Sequence, residues 1–258
     1  MMAEALDRRE LEQVSTRAVE LGLAPPPAHL KWLEARVFLE APALFLAAPL
    51  LFAQPRGRGQ RVVVIPGLLF GERSTRVLRT YLRLMGYRAE DWGLGVNRGR
   101  PEQDAEKLVS RFEQEGSDEP LMLVGWSLGG VIARLVAMGL GKRVPQLITM
   151  GTPVEGGPKY TAVARPFAKR AGINLDELEA HVHVKNQIGL QCDVTAIYSK
   201  SDGVVGWKAA IDRHNPQTIH RQIPGSHIGL GVNPWAFRVI AQTLAENGRA
   251  QESLVEGS

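Results

Sequence analysis

The sequence predicts an α/β protein built on a doubly wound, mostly parallel sheet of about six strands. Three observations predict it. From Arg61 onward, short apolar runs alternate with helical patterns of apolar and charged residues, which is the order that βαβ units require. The first of those runs, "RVVVI", is continuous and β-branched rather than alternating, as suits a strand buried on both faces. Proline and glycine fall between the runs, where turns belong.

Residues 1–55 read as a helical N-terminal extension ahead of a domain spanning 56–258. Leu6, Leu11, Val14, Ala18, Val19 and Leu21 recur at helical spacing among charges between Ala5 and Leu23, predicting an amphipathic helix. After "PPP" at 25–27 comes the apolar run Val37–Ala53, broken by Glu40, Pro42 and Pro49. A membrane-crossing helix needs roughly 20 apolar residues, so a helix packed on the domain or on a partner is expected. Peripheral contact with a membrane, or self-association through residues 5–53, is the alternative.

The strands follow in order. "RVVVIPG" is the first, and Ser74 is placed to cap the helix after it. "YRAEDWGLG" is the second, and Pro101 opens the next helix. "PLMLVG" leads into "LGGVIARLVAMGLG" as strand and helix, and "PQLITMG" is the fourth strand. Residues 152–191 hold only short helical pieces, such as "NLDELEAHV". "CDVTAIYS", a short helix over "VVGWKAAID", the strand "TIHRQIP" and the closing helix "NPWAFRVIAQTLAEN" complete the chain.

With 258 residues and 44% hydrophobic content the chain can bury a sizeable core. Its single cysteine, Cys192, excludes an internal disulfide framework. "MMAEALDRRE" lacks the pattern of a secretory signal, and a cytoplasmic location is expected. The net charge of +4 is mild, though ten arginines face only three acids between Gln54 and Arg100. Without aromatic interleaving or a nucleic-acid motif this stretch reads as a solvated basic face, with anionic lipid as the other candidate and no nucleic-acid partner expected.

Chemistry is concentrated in "GWSLG", residues 125–129. A buried strand must turn at once into a helix there, which forces Ser127 into a strained conformation and lifts its hydroxyl above the sheet. Glycines on either side leave room for the turn. A serine needs a base, and the base needs an acceptor to fix its tautomer. Asp202 lies just past the strand ending "AIYS" and His227 just past the strand ending "RQIP", both at the carboxyl edge that Ser127 occupies. Asp193 precedes its strand, Asp212 is expected in a helix, His214 in a loop and His220 in mid-strand. His181 and His183 lack a third ligand at useful spacing, so no metal and no organic cofactor is expected. The N–H groups of Leu68, in the loop "IPGLLFG", and of Leu128, at the helix start, are candidate oxyanion donors.

Taken together, "VVVIPGLLFG", "GWSLGG", "MGTPVEGG", "SKSDGVV" and "GSHIGLGVNP" resemble the α/β-hydrolase superfamily, specifically its bacterial lipase- and esterase-like members, from about Ala35 to Ala245. The resemblance implies Ser127 as nucleophile, His227 as base, Asp202 as acid, Leu68 and Leu128 as oxyanion hole, and residues 152–191 as a cap. It further implies hydrolysis of a small hydrophobic ester or acyl substrate, with Leu69, Phe70, Trp126, Val154, Phe167, Ile228 and Leu230 as candidate pocket residues. Acyl transfer or thioester cleavage by the same triad, and a non-catalytic module that binds a membrane or partner, are the alternatives. The antiparallel strands that often precede "VVVIPG" in the superfamily are missing, and helical segments stand in their place.

Overall fold

The computed structural model describes residues 8–256. The extension folds into helices α1 (Arg8–Glu20), α2 (Leu30–Leu33), α3 (Val37–Leu46) and α4 (Ala48–Phe52). Residues 5–7 of the expected first helix lie outside the described residues. There follow β1 (Arg61–Ile65), α5 (Glu72–Leu84), β2 (Arg88–Asp91), α6 (Pro101–Gln114), β3 (Leu121–Trp126), α7 (Leu128–Leu140) and β4 (Gln146–Met150). Then come α8 (Ala164–Ala171), α9 (Leu175–Asn186), β5 (Asp193–Tyr198), β6 (Ile219–Gln222) and α10 (Pro234–Glu256).

The six strands form one parallel sheet in the order β2-β1-β3-β4-β5-β6. Alternate side chains of β1 explain why its run is continuous. Val62 and Val64 pack with Leu78, Leu82, Phe237 and Ile240 of α5 and α10 on one face. Val63 and Ile65 pack with Leu108, Phe112, Ile132 and Val136 of α6 and α7 on the other. Each of these β1 side chains is fully buried, a gain of about 1.5–3 kcal/mol apiece relative to exposure. The chain runs from β1 to β2 on one side and returns to place β3 on the other. The strand order therefore reverses between β1 and β3, and a crevice opens at their carboxyl ends.

Two local expectations are corrected. Ser74 does not cap α5: the helix begins at Glu72 behind Gly71, and the Ser74 hydroxyl donates to the Gly71 carbonyl at 2.7 Å instead of accepting an N–H. The helix expected over 204–212 is a single 3₁₀ turn, Trp207–Ala210, so Asp212 lies in the loop beyond it. Several arginines of the basic stretch are paired: Arg61 reaches Glu90 and Glu115, Arg88 reaches Glu119, and Arg79 faces Asp91.

The extension packs on the domain through one face. Leu51 is buried in the core cluster, with Leu44 and Ala47 against it, and the Tyr81 hydroxyl donates to the Leu51 carbonyl. The opposite face exposes Phe38, Leu39, Phe45 and Leu46, each more than 70% accessible. Among the described residues no helix is long and apolar enough to cross a membrane.

Behind the crevice, a buried ion pair joins α7 to the loop before β6: Arg134 Nη1 lies 2.5 Å from Asp212 Oδ2, with both side chains almost fully enclosed. Arg134 also reaches Asn186 at the end of α9, whose amide donates to the Val154 carbonyl. Burial alone would raise the Asp212 pKa, but the Arg134 charge and the surrounding donors outweigh it and hold the carboxyl below its ordinary value. A depressed carboxyl stabilises the fold above the unfolded pKa, and that contribution is lost as pH falls through the folded value. We predict that Asp212→Asn, which strands the buried guanidinium, lowers the unfolding free energy by about 3–5 kcal/mol at pH 7. The deficit relative to wild type should shrink as urea unfolding is repeated below the ordinary carboxyl range.

Candidate active site

β3 ends at Trp126 and α7 begins at Leu128, leaving Ser127 on the corner with φ 55° and ψ −123°. A residue with a Cβ adopts a positive φ only where its surroundings enforce it, and the neighbouring contacts do so here. The Ser127 N–H donates to the Met150 carbonyl at 2.8 Å, continuing the β3–β4 ladder. Its carbonyl accepts from the Gly130 N–H at 2.9 Å and from the Thr152 hydroxyl at 3.0 Å. A Cβ at Gly125 would collide with the Gly130 backbone, and one at Gly129 with the Ile65 carbonyl. Both glycines of the motif are thus required by close backbone approach.

Asp202 and His227 are brought into contact from adjacent loops. His227 Nδ1 lies 2.7 Å from Asp202 Oδ2, and both side chains are almost completely buried. The other oxygen, Oδ1, accepts from the N–H groups of Val204 and Val205 at 2.8 and 2.7 Å, so the carboxylate is aimed by its own turn. With Nδ1–H donating a hydrogen bond to the Asp202 carboxylate, the neutral imidazole carries its proton on Nδ1 and leaves Nε2 unprotonated. Burial alone would lower the His227 pKa. The charge and hydrogen bond of Asp202, with the charge of Glu34, outweigh burial and raise it above the ordinary histidine value. The Trp126 indole, next to Ser127 in the chain, donates to the His227 carbonyl at 3.1 Å and ties the β3 corner to the histidine loop.

The loop after β1 lies against the same corner. A Cβ at Gly67 would meet the Ser127 Cβ at 3.3 Å. Asn97, fully buried, pins this loop from beneath: its amide donates to the Pro66 carbonyl at 2.9 Å, its backbone carbonyl accepts from Leu69 N–H, and its N–H donates to the Phe70 carbonyl. These bonds hold Leu69 at φ 64°, a second strained position beside the first. Among the described residues the Leu68 N–H makes no hydrogen bond. Leu128, as the first residue of α7, has its N–H outside the helical ladder and at the positive end of the helix dipole.

The candidate pocket residues divide by burial. Leu69 is exposed, Phe70 and Ile228 are partly so, and Phe167 is half-buried. Phe70 lies against Trp126 with ring centroids 4.7 Å apart, and Phe167 approaches Gly99 beside Leu68. Trp126, Val154 and Leu230 are packed inside, Leu230 in the main core cluster. Residues 152–191 leave the sheet between β4 and β5 and carry α8 and α9. Of the competing side chains, His220 accepts from the Asp212 N–H, His181 pairs with Glu102, and His183 packs edge-on against His214. Among the described residues no three His, Cys, Asp or Glu side chains are grouped to hold a metal ion.

The sequence left Asn97, Thr152 and Glu34 unnoticed. Thr152 follows the fourth strand directly, and Asn97 lies in a glycine-rich turn, so position gave each a faint signal. Glu34 gave none, because its partners are brought to it only by folding.

No family model matches the chain, and no curated protein matches it in sequence. Solved structures do match in fold. MGS-MChE2, an alpha/beta hydrolase enzyme from a sediment metagenome of a Moroccan lagoon, is 19% identical with a TM-score of 0.53, over 76% of this chain and 94% of that one. The metagenome-derived lipolytic enzymes LipS and LipT include a match at 14% identity and TM-score 0.55, covering 76% of this chain and 96% of the other. RedJ, a thioesterase of prodiginine biosynthesis from Streptomyces coelicolor, is 18% identical with a TM-score of 0.50, covering 76% and 94%. The fold is that of the α/β hydrolases.

Proposed function

We propose that the protein is a serine hydrolase of carboxylic esters. One observation carries the reading: a buried, hydrogen-bonded Asp202–His227 pair lies at the sheet edge where Ser127 is held in a strained strand-to-helix corner. In this mechanism His227 Nε2 takes the Ser127 hydroxyl proton as Oγ attacks the ester carbonyl. The N–H groups of Leu68 and Leu128 stabilise the oxyanion as it forms. Collapse of the tetrahedral intermediate expels the alcohol, which receives the proton from His227, and leaves an acyl-enzyme. Water, deprotonated by His227, then releases the carboxylic acid and restores Ser127. Every group used belongs to the chain itself. Leu69, Phe70, Phe167 and Ile228 supply apolar surface around the serine, which suits an acyl chain.

The exposed face of α3 and α4 extends this reading to a partner. Glu34 and Glu40 are turned inward onto backbone N–H groups, while Lys31, Arg36, Arg56 and Arg58 are exposed along the same segment. A large apolar face edged by cations and free of outward acids is complementary to an anionic bilayer. Ile228, next to His227, is bonded through its N–H to Glu34 on the same extension, which links the site to the segment that carries that face. The occupant proposed is therefore an anionic lipid surface that also presents hydrophobic esters.

Hydrolysis of p-nitrophenyl esters from acetyl to palmitoyl tests the chemistry. Wild type should show a chain-length optimum, and Ser127→Ala should lose several orders of magnitude, approaching the roughly 10⁶-fold loss seen when a serine-hydrolase nucleophile is removed. Because the base must be neutral and its pKa is raised, the acid limb of kcat/KM should lie above the ordinary histidine value. Equal rates in wild type and Ser127→Ala would remove the proposal. Faster turnover of a thioester, or product formed on an added alcohol, would redirect it to thioesterase or acyltransferase chemistry. For the surface, wild type should co-sediment with vesicles containing phosphatidylserine more than with pure phosphatidylcholine, and Phe38→Ser with Phe45→Ser should weaken binding by about a hundredfold or more, at roughly 1.5–3 kcal/mol per buried aromatic. Binding indifferent to both changes would rule out this face.

A further inference from the structure

We propose that Glu34, on the N-terminal extension, is a positioning residue for the His227 base, holding the aspartate and histidine loops in register with each other. The inference rests on the triad reading above and deepens it. Glu34 opens the 3₁₀ turn between α2 and α3 (Glu34–Arg36), and its carboxylate spans two loops. Oε1 accepts from the Gly203 N–H at 2.8 Å and the His227 N–H at 3.0 Å, and Oε2 accepts from the Ile228 N–H at 2.8 Å. One carboxylate thus bonds the residue after the acid, the base itself and the residue after the base. Glu40, on α3, adds a bond from the Ser226 N–H at 2.8 Å.

These four N–H groups belong to loops that have left the sheet, so no neighbouring strand can satisfy them. Without the extension they would face water or go unpaired, and a buried N–H left unpaired is costly. Apart from the Asp202–His227 pair itself, these two loops are joined through a side chain among the described residues by the Ser199 hydroxyl, which donates to the Gly225 carbonyl at 2.6 Å. The loops are shaped for the extension. A Cβ at Gly203 would run into the Leu30 carbonyl and stand 2.9 Å from Glu34 Oε1, and one at Gly229 would overlap the Glu40 carboxylate. The extension therefore takes part in holding the site together.

Position and charge act together. Around His227 the titratable groups are Asp202 from the loop after β5 and Glu34 and Glu40 from the extension. α5 and α10 pack on the turn after His227. Their charged residues there are Glu72, Arg73 and Arg76, all exposed, and the half-buried Arg238. The net charge near the imidazole is negative, and Glu34 contributes to the raised His227 pKa.

The test uses the full chain. The His227 imidazole is titrated by NMR, assigned against His227→Asn, in wild type and Glu34→Gln, and kcat and KM are measured across pH on the best ester. Glu34→Gln should titrate at lower pH than wild type, with the acid limb of kcat/KM moving the same way. It should lose on the order of 10- to 100-fold in kcat, the scale expected from ångström-level misplacement of a catalytic group, with KM within about twofold. Unchanged titration, with kcat within about twofold of wild type, overturns the proposal. Because NMR needs no turnover, absence of Ser127-dependent hydrolysis in wild type would defeat the hydrolase reading while the titration still judged Glu34. Should the Gln variant fail to fold, Glu34→Asp carries the same test. Its shorter carboxylate cannot bridge all three donors, so kcat should fall at least fivefold, and wild-type kcat with wild-type titration would overturn the proposal.

Discussion

A carboxylate and an imidazole that have both been taken out of water stay together only if each supplies what the other has lost, and this constraint falls on Asp202 and His227, 2.7 Å apart. The pair dictates much of its surroundings. Asp202 needs donors for its remaining oxygen and finds them in the turn it begins, at Val204 and Val205. His227 needs its backbone held so that the ring cannot swing away, and Trp126 from one side and Glu34 from the other hold it. A lone buried charge at either position would cost several kcal/mol, so neither residue is useful without the other.

The same logic of mutual support applies to strain. Ser127 and Leu69 hold positive φ values within one crevice, and each is fixed by bonds to rigid neighbours: Ser127 by β4 and Thr152, Leu69 by Asn97. Conformations of this kind cost about 1–3 kcal/mol each. The sheet offsets that cost through two apolar layers, one on each face of β1, β3 and β4. Stability invested in the centre of the sheet is what lets its carboxyl edge keep an unfavourable backbone in place.

Much of this could be read from the residues alone, for identifiable reasons. β1 and β3 announced themselves because a strand buried on both faces has no polar side, and Ser127, Asp202 and His227 stood out because each lies just past the carboxyl end of a strand, although the strand before His227 is itself an exposed, polar one. Strand ends were less legible. The second strand pairs only over Arg88–Asp91, because the fully buried Trp92 leaves the ladder and turns inward at the sheet edge. The extension was harder. Glu40 reads in sequence as a break in an apolar run, yet it points inward to Ser226 while Phe38 and Phe45 face out. That inversion comes from backbone donors in loops nearly two hundred residues away, and no local pattern of charge or hydrophobicity encodes it. Asn97 is hidden for the same reason, since its partners are the carbonyls and N–H groups of a distant loop.

The proposed activation of Ser127 by the Asp202–His227 pair is most directly examined by covalent trapping. Full-length protein would be treated with a fluorophosphonate and its peptides mapped by mass spectrometry, in wild type and in His227→Ala. A nucleophile activated by the Asp202–His227 pair predicts a single phosphonyl adduct on Ser127, formed rapidly in wild type and reduced by orders of magnitude in the histidine variant. No adduct, an adduct on another serine, or labelling of Ser127 that is indifferent to His227 would contradict it.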